Sequence, residues 1–590
     1  MPPGKLRLIR SNANPHGAEG CQIFLFEGNP TVAPVVEIVP EEGVVLPPRH
    51  DATHGTFRLK ILHINDLHGH IVRFTPQGEQ PVLSRIVSRL REVRKEHKDD
   101  PDTAVLAMSA GDDLVGAVFD ELMGDDPDSF ALHAGYRLYS AAGIDIGILG
   151  NHDLDLGTDV LAEAIRKDAQ FPVLSANLVS CHLLAGLYHP AALLVLKGIR
   201  VGIIGLSTSA QVRQPSYSNL QIVNPVRVMH NLLPAVRPLC DVLIILSHLG
   251  YSMATSSASV RDAGDVELAR SLPFGSVDLI VGGHTHTALN EQGLTVDNIV
   301  NGIPIVQAGM LGRFLGEVVI TVRPQGTSTT NVRLSNTATL PVDEAFEEEN
   351  VRPLVDIARP LFTRSLGQVA DHADLASDEV RNNFAAGESA LANFMADALV
   401  VRCHMQNFDV DLALVDASAV RSGLPVGGEL HFGDWFNIMP FADVLRVIWL
   451  TGRQLQMLLQ DNAYRIDLPG EPHTERGFLH FSQKVRYTIE AGSSRNKIRA
   501  TEATVDDLPL ELQLERSFQI VCSSFARESA VPWEEYARQI LGLPMMDIGQ
   551  ISHLDTPLFM RDELVAYITE NGGVTEAAGA RRDGRVKIKV

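Results

Sequence analysis

The sequence predicts an α/β chain of at least two domains, and three observations carry that prediction. Between residues 58 and 335, short apolar runs alternate with amphipathic helical patterns, as expected of sheets covered by helices. The length of 590 residues exceeds what one hydrophobic core supports, so a second domain must follow. Five of the apolar runs end abruptly in Asp, Asn or His, most of them with glycine alongside, which places polar side chains where open α/β sheets bind ligands.

Taken in order, residues 1–57 form an N-terminal extension rich in Pro, Gly and His. It carries strand-like pieces only at 22–26 and 32–38 and ends in a Pro-Pro-Arg-His linker signal. His50 and His54 read as solvated linker residues. The first domain, 58–335, has apolar strands at 59–64, 104–109, 146–149, 173–176, 201–205, 242–247, 278–281 and 305–307. Helical patterns fall at 81–95, 130–142, 158–167 and 225–240. Residues 336–365 form a linker helix whose start carries Glu344, Glu347, Glu348 and Glu349, favourable at a helix N-terminus. The second domain, 366–590, opens with a strand at 366–370 and a helix near 389–401. A strand at 410–415 and a helix at 452–460 follow.

The composition, 45% hydrophobic and 21% charged, is that of a globular protein. A net charge of −22 argues against a nucleic-acid polymer or an anionic membrane as partner. It leaves room for a small anionic substrate, because bound cations reverse the local sign. The five cysteines are scattered and lack Cys-x-x-Cys spacing, so neither a disulfide framework nor a structural zinc knot is expected. No apolar leader is seen at the N-terminus. The apolar windows 191–204 and 242–246 are too short, or too interrupted by Lys197 and Arg200, to span a bilayer. These features predict a soluble, cytoplasmic protein and leave the oligomeric state open.

The chemistry lies at the strand ends. Asp66 and His68 follow the first strand. Asp112 follows the second, Asn151, His152, Asp153 and Asp155 the third. His248 ends a later strand, and His284 and His286 follow the next. Asp66, His68, Asp112, Asn151, His248, His284 and His286 make seven ligand candidates, too many for one tetrahedral ion and suited to two ions sharing a carboxylate. Imidazole, carboxylate and amide donors without thiolate favour Mn, Zn, Fe or Co over Ca. His63 reads as a core histidine and His70 as a solvated loop residue. His133, His182, His189 and His230 read as structural or surface residues, and Asp113 as a turn residue behind the ligands.

The motifs Asn65-Asp66-x-His68, Gly111-Asp112-x-x-x-Gly116, Gly150-Asn151-His152-Asp153, Ser247-His248 and Gly283-His284-Thr285-His286 resemble those of calcineurin-like metallophosphoesterases. The forms His-Ile-Asn-Asp-Leu-His-Gly-His and Gly-Asn-His-Asp-Leu-Asp resemble the 5′-nucleotidase branch. That resemblance implies an αββα sandwich, a linker helix and a C-terminal α/β substrate domain. It implies that one ion takes Asp66, His68 and His286, the other Asn151, His248 and His284, with Asp112 bridging. It assigns His152 to the phosphoryl group or leaving oxygen and Asp155 to orienting its ring. A metal-bound hydroxide would hydrolyse a small phosphate ester, most simply a nucleoside monophosphate.

The resemblance extends to the second domain, with departures. Arg421 matches a phosphate-side arginine and Phe441 the first of two base-stacking aromatics, within Phe432–Phe441. Asp416 stands where the family has an amide, and Ala385 where it has an arginine. The glycine-rich segment carrying the second aromatic is replaced by residues 523–533, where Phe525 or Trp533 could substitute. Alternatives are therefore hydrolysis of cyclic nucleotides, nucleotide sugars or a sulfur ester on the same metals, or a binding protein on an inactive phosphatase fold.

Overall fold

Apolar runs that cannot face water on either side form the centres of two sheets, and the carboxyl ends of their parallel strands carry the polar residues singled out above. The computed structural model describes residues 2–48, 56–75, 78–124, 128–155, 157–179, 182–208, 220–252, 263–376, 387–417, 420, 422–439, 443–468, 476–524, 526, 537–538, 540–546, 548 and 551–589. The chain divides into two compact units, Met1–Ala358 and Arg359–Val590.

The strands of the first unit's two large sheets are β1 (Lys5–Ser11), β2 (Gln22–Glu27), β3 (Glu37–Pro40), β4 (Phe57–Ile64), β5 (Thr103–Ser109), β6 (Ile146–Ile148), β7 (Val173–Leu174) and β8 (Ala191–Leu196). They continue with β9 (Ile199–Ser207), β10 (Val242–His248), β11 (Leu279–Gly282), β12 (Ile299–Val300), β13 (Ile303–Gln307), β14 (Phe314–Arg323) and β15 (Gly326–Asn336). One sheet has six strands in the order β15-β14-β4-β5-β6-β7, with β4 to β7 parallel. The other has nine, β12-β13-β11-β10-β9-β8-β2-β1-β3, and β9, β10, β11 and β13 are parallel.

Strand alternation builds a double core. From β10, Val242, Ile244 and Leu246 pack with Leu59, Ile61, Leu106 and Met108 of the six-stranded sheet. Leu243 and Ile245 point the other way, towards Val228, Met229 and Leu232 of the helix Pro225–Val236. The helices Leu83–Glu96, Ala134–Ala142 and Thr158–Asp168 follow strands of the six-stranded sheet. This is the sandwich of two sheets flanked by helices that the sequence implied.

Four local differences from the sequence reading have physical causes. Residues 1–57 are not a separate extension: β1 to β3 add to the nine-stranded sheet, β2 pairing with β8 and β1 with both β2 and β3. His50 and His54 lie outside the described residues. The helix expected from residue 130 begins at Ala134, because the His133 ring accepts the Tyr136 amide as its cap. The helix expected to reach residue 240 stops at Val236 and tightens into a 3-10 turn, Arg237–Leu239, where Pro238 has no amide to continue it. The β14–β15 hairpin was not foreseen, since β15 is mostly Thr, Ser, Asn and Gly and alternates no apolar face.

The helix Arg352–Phe362 crosses the boundary between the units. The second unit contains a five-stranded mixed sheet that includes Leu412–Asp416 and Ser517–Ser523 at its centre. The helix Ala390–Met405 packs beside it and against Met560–Glu570. Among the described residues no helix is long and apolar enough to cross a membrane.

Glu317 on β14 is buried and accepts hydrogen bonds from Arg89, Arg333 and Ser335, tying a helix to the sheet. Burial pushes its carboxyl up, but the arginine hydrogen bonds outweigh that, and the net shift is downward. A depressed folded-state pKa contributes stability above the unfolded value near 4.5 and loses it as pH falls below that. Glu317→Ala should cost roughly 3 kcal/mol in urea denaturation at pH 7, with the gap to wild type narrowing below pH 4.5. A cost under about 0.5 kcal/mol would make the cluster ornamental.

Candidate metal centre

Five strands from both sheets end around one point. β4 and β5 are parallel neighbours with Ile64 opposite Ser109, and the chain beyond them stays paired. The Asp66 amide donates to Gly111 O at 3.0 Å and the His68 amide to Asp112 O at 3.0 Å. Asp66 and Asp112 thereby project from adjacent turns, both fully buried. The β6 end supplies Asn151 and His152, β10 ends in His248, and the turn after β11 carries His284 and His286.

These turns are tight enough to need unusual backbone. Asp66, His68, Asp112, His284 and His286 all adopt the left-handed region, with φ of 50°, 48°, 54°, 76° and 56°. For non-glycine residues this costs roughly 1–3 kcal/mol each and persists only where surroundings impose it. Gly150 must lack a side chain: a Cβ there would sit 2.1 Å from Asp112 Oδ1.

Two groups of donors result. Asp66, His68 and His286 form one, and Asp112, His248 and His284 the other, with ligand atoms in each within 4.8 Å of one another. His286 Nε2 lies 3.3 Å from Asp66 Oδ1 and 3.2 Å from His68 Nε2. His248 Nε2 lies 2.9 Å from Asp112 Oδ2, and His68 Nε2 is 3.9 Å from that same oxygen, so Asp112 faces both groups. Asn151 Oδ1 is 2.9 Å from His284 Nδ1. The structure thus brings all seven sequence candidates together. His152 stands beside them, its ring 5.2 Å from that of His68. Its Nδ1 is 2.7 Å from Asp155 Oδ2, and its amide donates to Asp112 Oδ1.

Divalent cations fit this arrangement. Asp112 Oδ2 and His248 Nε2 are buried without a well-aligned hydrogen-bond partner, and the donors are imidazole, carboxylate and amide. Burial alone would push the His248 ring down, but the charges of Asp112 and Asp66 dominate and raise it to about 10. His68 and His284 are pushed down, to about 4 and about 3, mainly by burial. Neutral imidazoles are the form that ligates metal, and a bound cation would take the place of the His248 proton as countercharge.

A surrounding layer of hydrogen bonds was not read from the sequence. His248 Nδ1 is fixed on Ala110 O at 2.6 Å and His68 Nδ1 on Val115 O at 2.9 Å, leaving each Nε2 aimed inward. Val115 is itself left-handed, φ 59°, rare for a β-branched residue. Its amide and that of Gly116 both donate to the buried Asp120 carboxylate, at 3.1 and 2.8 Å. Gln307 accepts the Thr287 amide and donates to Gly283 O, bracing the turn that carries His284 and His286. Asp153 accepts the Gly150, Asp112 and Asp113 amides. Asp153 lies inside a motif and Asp120 close behind one, but Gln307, 21 residues past His286, carries no sequence signal.

His63 is buried in β4 and pushed down to about 4 by burial, a core histidine as expected. His70 is not solvated; it is partly buried, 2.9 Å from His68 O, and burial pushes it down to about 4. Asp416 is buried at the end of Leu412–Asp416 in the second unit. Arg421, Phe441, Phe525 and Trp533 lie outside the described residues.

Residues 59–288 match the family model described as calcineurin-like phosphoesterase, and residues 366–533 that of the 5′-nucleotidase C-terminal domain. Protein UshA of Salmonella pullorum is 31% identical over 436 residues, covering 68% of this chain and 75% of that protein. The trifunctional nucleotide phosphoesterase protein YfkN of Bacillus subtilis is 24% identical over 70% of this chain, which spans only 28% of that longer protein. Among solved structures, the 5′-nucleotidase precursor of Thermus thermophilus shares the fold, with a TM-score of 0.59 and 22% identity over 90% of this chain and 99% of that one.

Asp120→Ala should weaken divalent-metal binding by about 10- to 100-fold, the usual effect of losing an outer hydrogen-bond partner. Isothermal titration with manganese, beside a melting scan of the metal-free protein, measures it. An unchanged affinity would separate the Val115 turn from the centre.

Proposed function

This chain belongs to the 5′-nucleotidase family of calcineurin-like metallophosphoesterases, and from that premise we propose that it hydrolyses nucleoside monophosphates to nucleoside and phosphate. The observation that carries the reading is the convergence of two donor groups on Asp112 beside a carboxylate-held histidine.

In this proposal Asp66, His68 and His286 hold one divalent cation, Asn151, His248 and His284 the other, and Asp112 serves both. The donor set suits manganese, zinc, iron or cobalt. When bound, such a pair supplies Lewis-acid polarisation of the phosphoryl oxygens and an activated water for in-line displacement. The chain's own residues do the rest. Asp155 accepts from His152 Nδ1 at 2.7 Å, which fixes the ring and leaves Nε2 to meet the phosphoryl group or to pass a proton to the leaving oxygen. The buried walls around Asp66, Asp112 and His248 exclude bulk water and strengthen every charge interaction there. In the second unit, Arg421 is assigned to the phosphate, and Phe441, with Phe525 or Trp533, to the base. The support for Arg421 and Phe441 is their place in the sequence motifs; Phe525 and Trp533 are aromatics of the segment that stands where the family's second one lies.

One observation favours a broader substrate range. Asp416, a carboxylate where the family pattern has an amide, offers only acceptors and disfavours a nearby anion. The second reading is therefore a cyclic nucleotide, nucleotide sugar or sulfur ester cleaved at the same centre. AMP, UMP, cyclic AMP, UDP-glucose and a chromogenic phosphate ester, each with added manganese, separate the readings. Highest kcat/KM on the monophosphates is expected. Turnover of none of them would overturn the proposal.

Two substitutions test the roles directly. Asp112→Ala should abolish both activity and the binding of two metal ions; full turnover in that variant would remove Asp112 from the centre. His152→Ala should retain metal content and lower kcat about 10²- to 10⁴-fold, the range of general acid–base catalysis. An unaltered kcat would make His152 a loop residue.

A further inference from the structure

The first unit carries a second polar cavity whose chemistry is opposite to that of the chain as a whole. It has a volume of about 160 Å³ and is lined by Arg73, Arg85 and Arg313 together with Gln80, Asn336 and Thr337, and among the described residues by no acidic one. In a protein of net charge −22, with 72 acidic residues to draw on, three guanidinium groups share a cavity with no carboxylate within 4.0 Å of any of them among the described residues. Like charges that line one cavity repel, and an anion between them relieves that repulsion.

The cavity is built from two walls. On one, Arg73 and Gln80 are direct cross-strand partners in the hairpin of Val72–Thr75 and Gly78–Pro81, so both side chains leave the same face. Arg85, in the first turn of Leu83–Glu96, donates to Pro81 O at 3.1 Å and to Leu340 O, which anchors its guanidinium with donors still free. On the other wall, Arg313 lies over the Phe314 ring at 5.1 Å. Thr337 holds this wall together: its amide donates to Arg313 O and its hydroxyl to Gly312 O. Asn336 spends its carbonyl on the Ala338 amide, which leaves its amide nitrogen as a donor. The cavity therefore presents three cations and the Asn336 amide donor, beside the neutral side chains of Gln80 and Thr337.

We propose that this cavity binds a phosphate-class oxyanion, independently of the metal centre. Arginine is the side chain best matched to such a ligand, through paired N–H donors in a planar fork. A sulfate-like or phosphate-like tetrahedral group fits the volume. The site is wired to the metal centre at both walls. Arg73, in the strand Val72–Thr75, lies seven residues beyond Asp66 in the chain, and the Leu311 amide, two residues before Arg313, donates to Asp66 O at 2.7 Å. Two sources share the chemistry: free orthophosphate and the phosphate of a nucleotide. The proposal does not depend on which reaction the metal centre performs.

Titration calorimetry of the full chain with orthophosphate and with AMP, in metal-loaded and chelator-treated protein, tests it. Chelator-treated wild type should bind one orthophosphate per chain, weakening as salt rises. Arg73→Gln and Arg313→Gln should each weaken that binding about tenfold, the loss of one charged hydrogen-bonding partner, while manganese affinity stays unchanged. Both positions are exposed, so folding should survive, and a melting scan checks it. AMP displacing orthophosphate would make the nucleotide phosphate the source; orthophosphate alone would make the free anion the source. No saturable binding to chelator-treated wild type, or equal binding by the double variant, would overturn the site. A centre that hydrolyses nothing would leave this result untouched.

Discussion

Two buried carboxylates govern the rest of the molecule. Asp66 and Asp112 sit at the ends of adjacent parallel strands with essentially no solvent contact. Removing a carboxylate from water costs several kcal/mol unless countercharge and hydrogen bonds replace hydration. Here the replacements are Asn65 and the His284 amide at Asp66, the His152 amide at Asp112, and His248 facing both. Burial pushes both carboxyls up, but they are held below the ordinary range, Asp66 by His248 and His286 and Asp112 by His248, His152 and His68. A site that keeps two charges ionised in its interior is a site prepared for cations.

That requirement explains the sandwich. A single open sheet offers ligands from one row of strand ends. Here β4, β5 and β6 of one sheet and β10 and β11 of the other end on the same rim, because the core between the sheets holds them face to face. The left-handed turns at Asp66, His68, Asp112, His284 and His286 bring short side chains inward within one or two residues of each strand end. The strain they store is supported by groups with no role in ligation, such as Asp120 under the Val115 turn and Gln307 under the His284–His286 turn.

Much of this was legible in the sequence, and the reasons are particular. Buried parallel strands such as β5 and β10 are continuous apolar runs, so their ends, and the ligands past those ends, can be read directly. What escaped were elements whose identity depends on distant partners. β1 to β3 look like a Pro-rich extension until β2 finds β8. β15 alternates no apolar face and exists because β14 pairs with it. His70 reads as solvated because residue type alone does not show that its ring turns back onto the His68 carbonyl. The outer hydrogen bonds of Asp120 and Gln307 join residues without any motif spacing. The substrate-domain residues Arg421 and Phe441 rest on motif resemblance alone, and Phe525 and Trp533 on their place in the segment that replaces the family's glycine-rich motif.

The account is thus one of charge placed by topology: parallel strands deliver acids and imidazoles to one rim, and the acids demand cations. Anomalous diffraction from crystals of the full chain grown with manganese tests that most directly. Two separate peaks are predicted, one among Asp66, His68 and His286, the other among Asn151, His248 and His284, both in contact with Asp112. A single peak away from Asp112, or none at the strand ends, would contradict it.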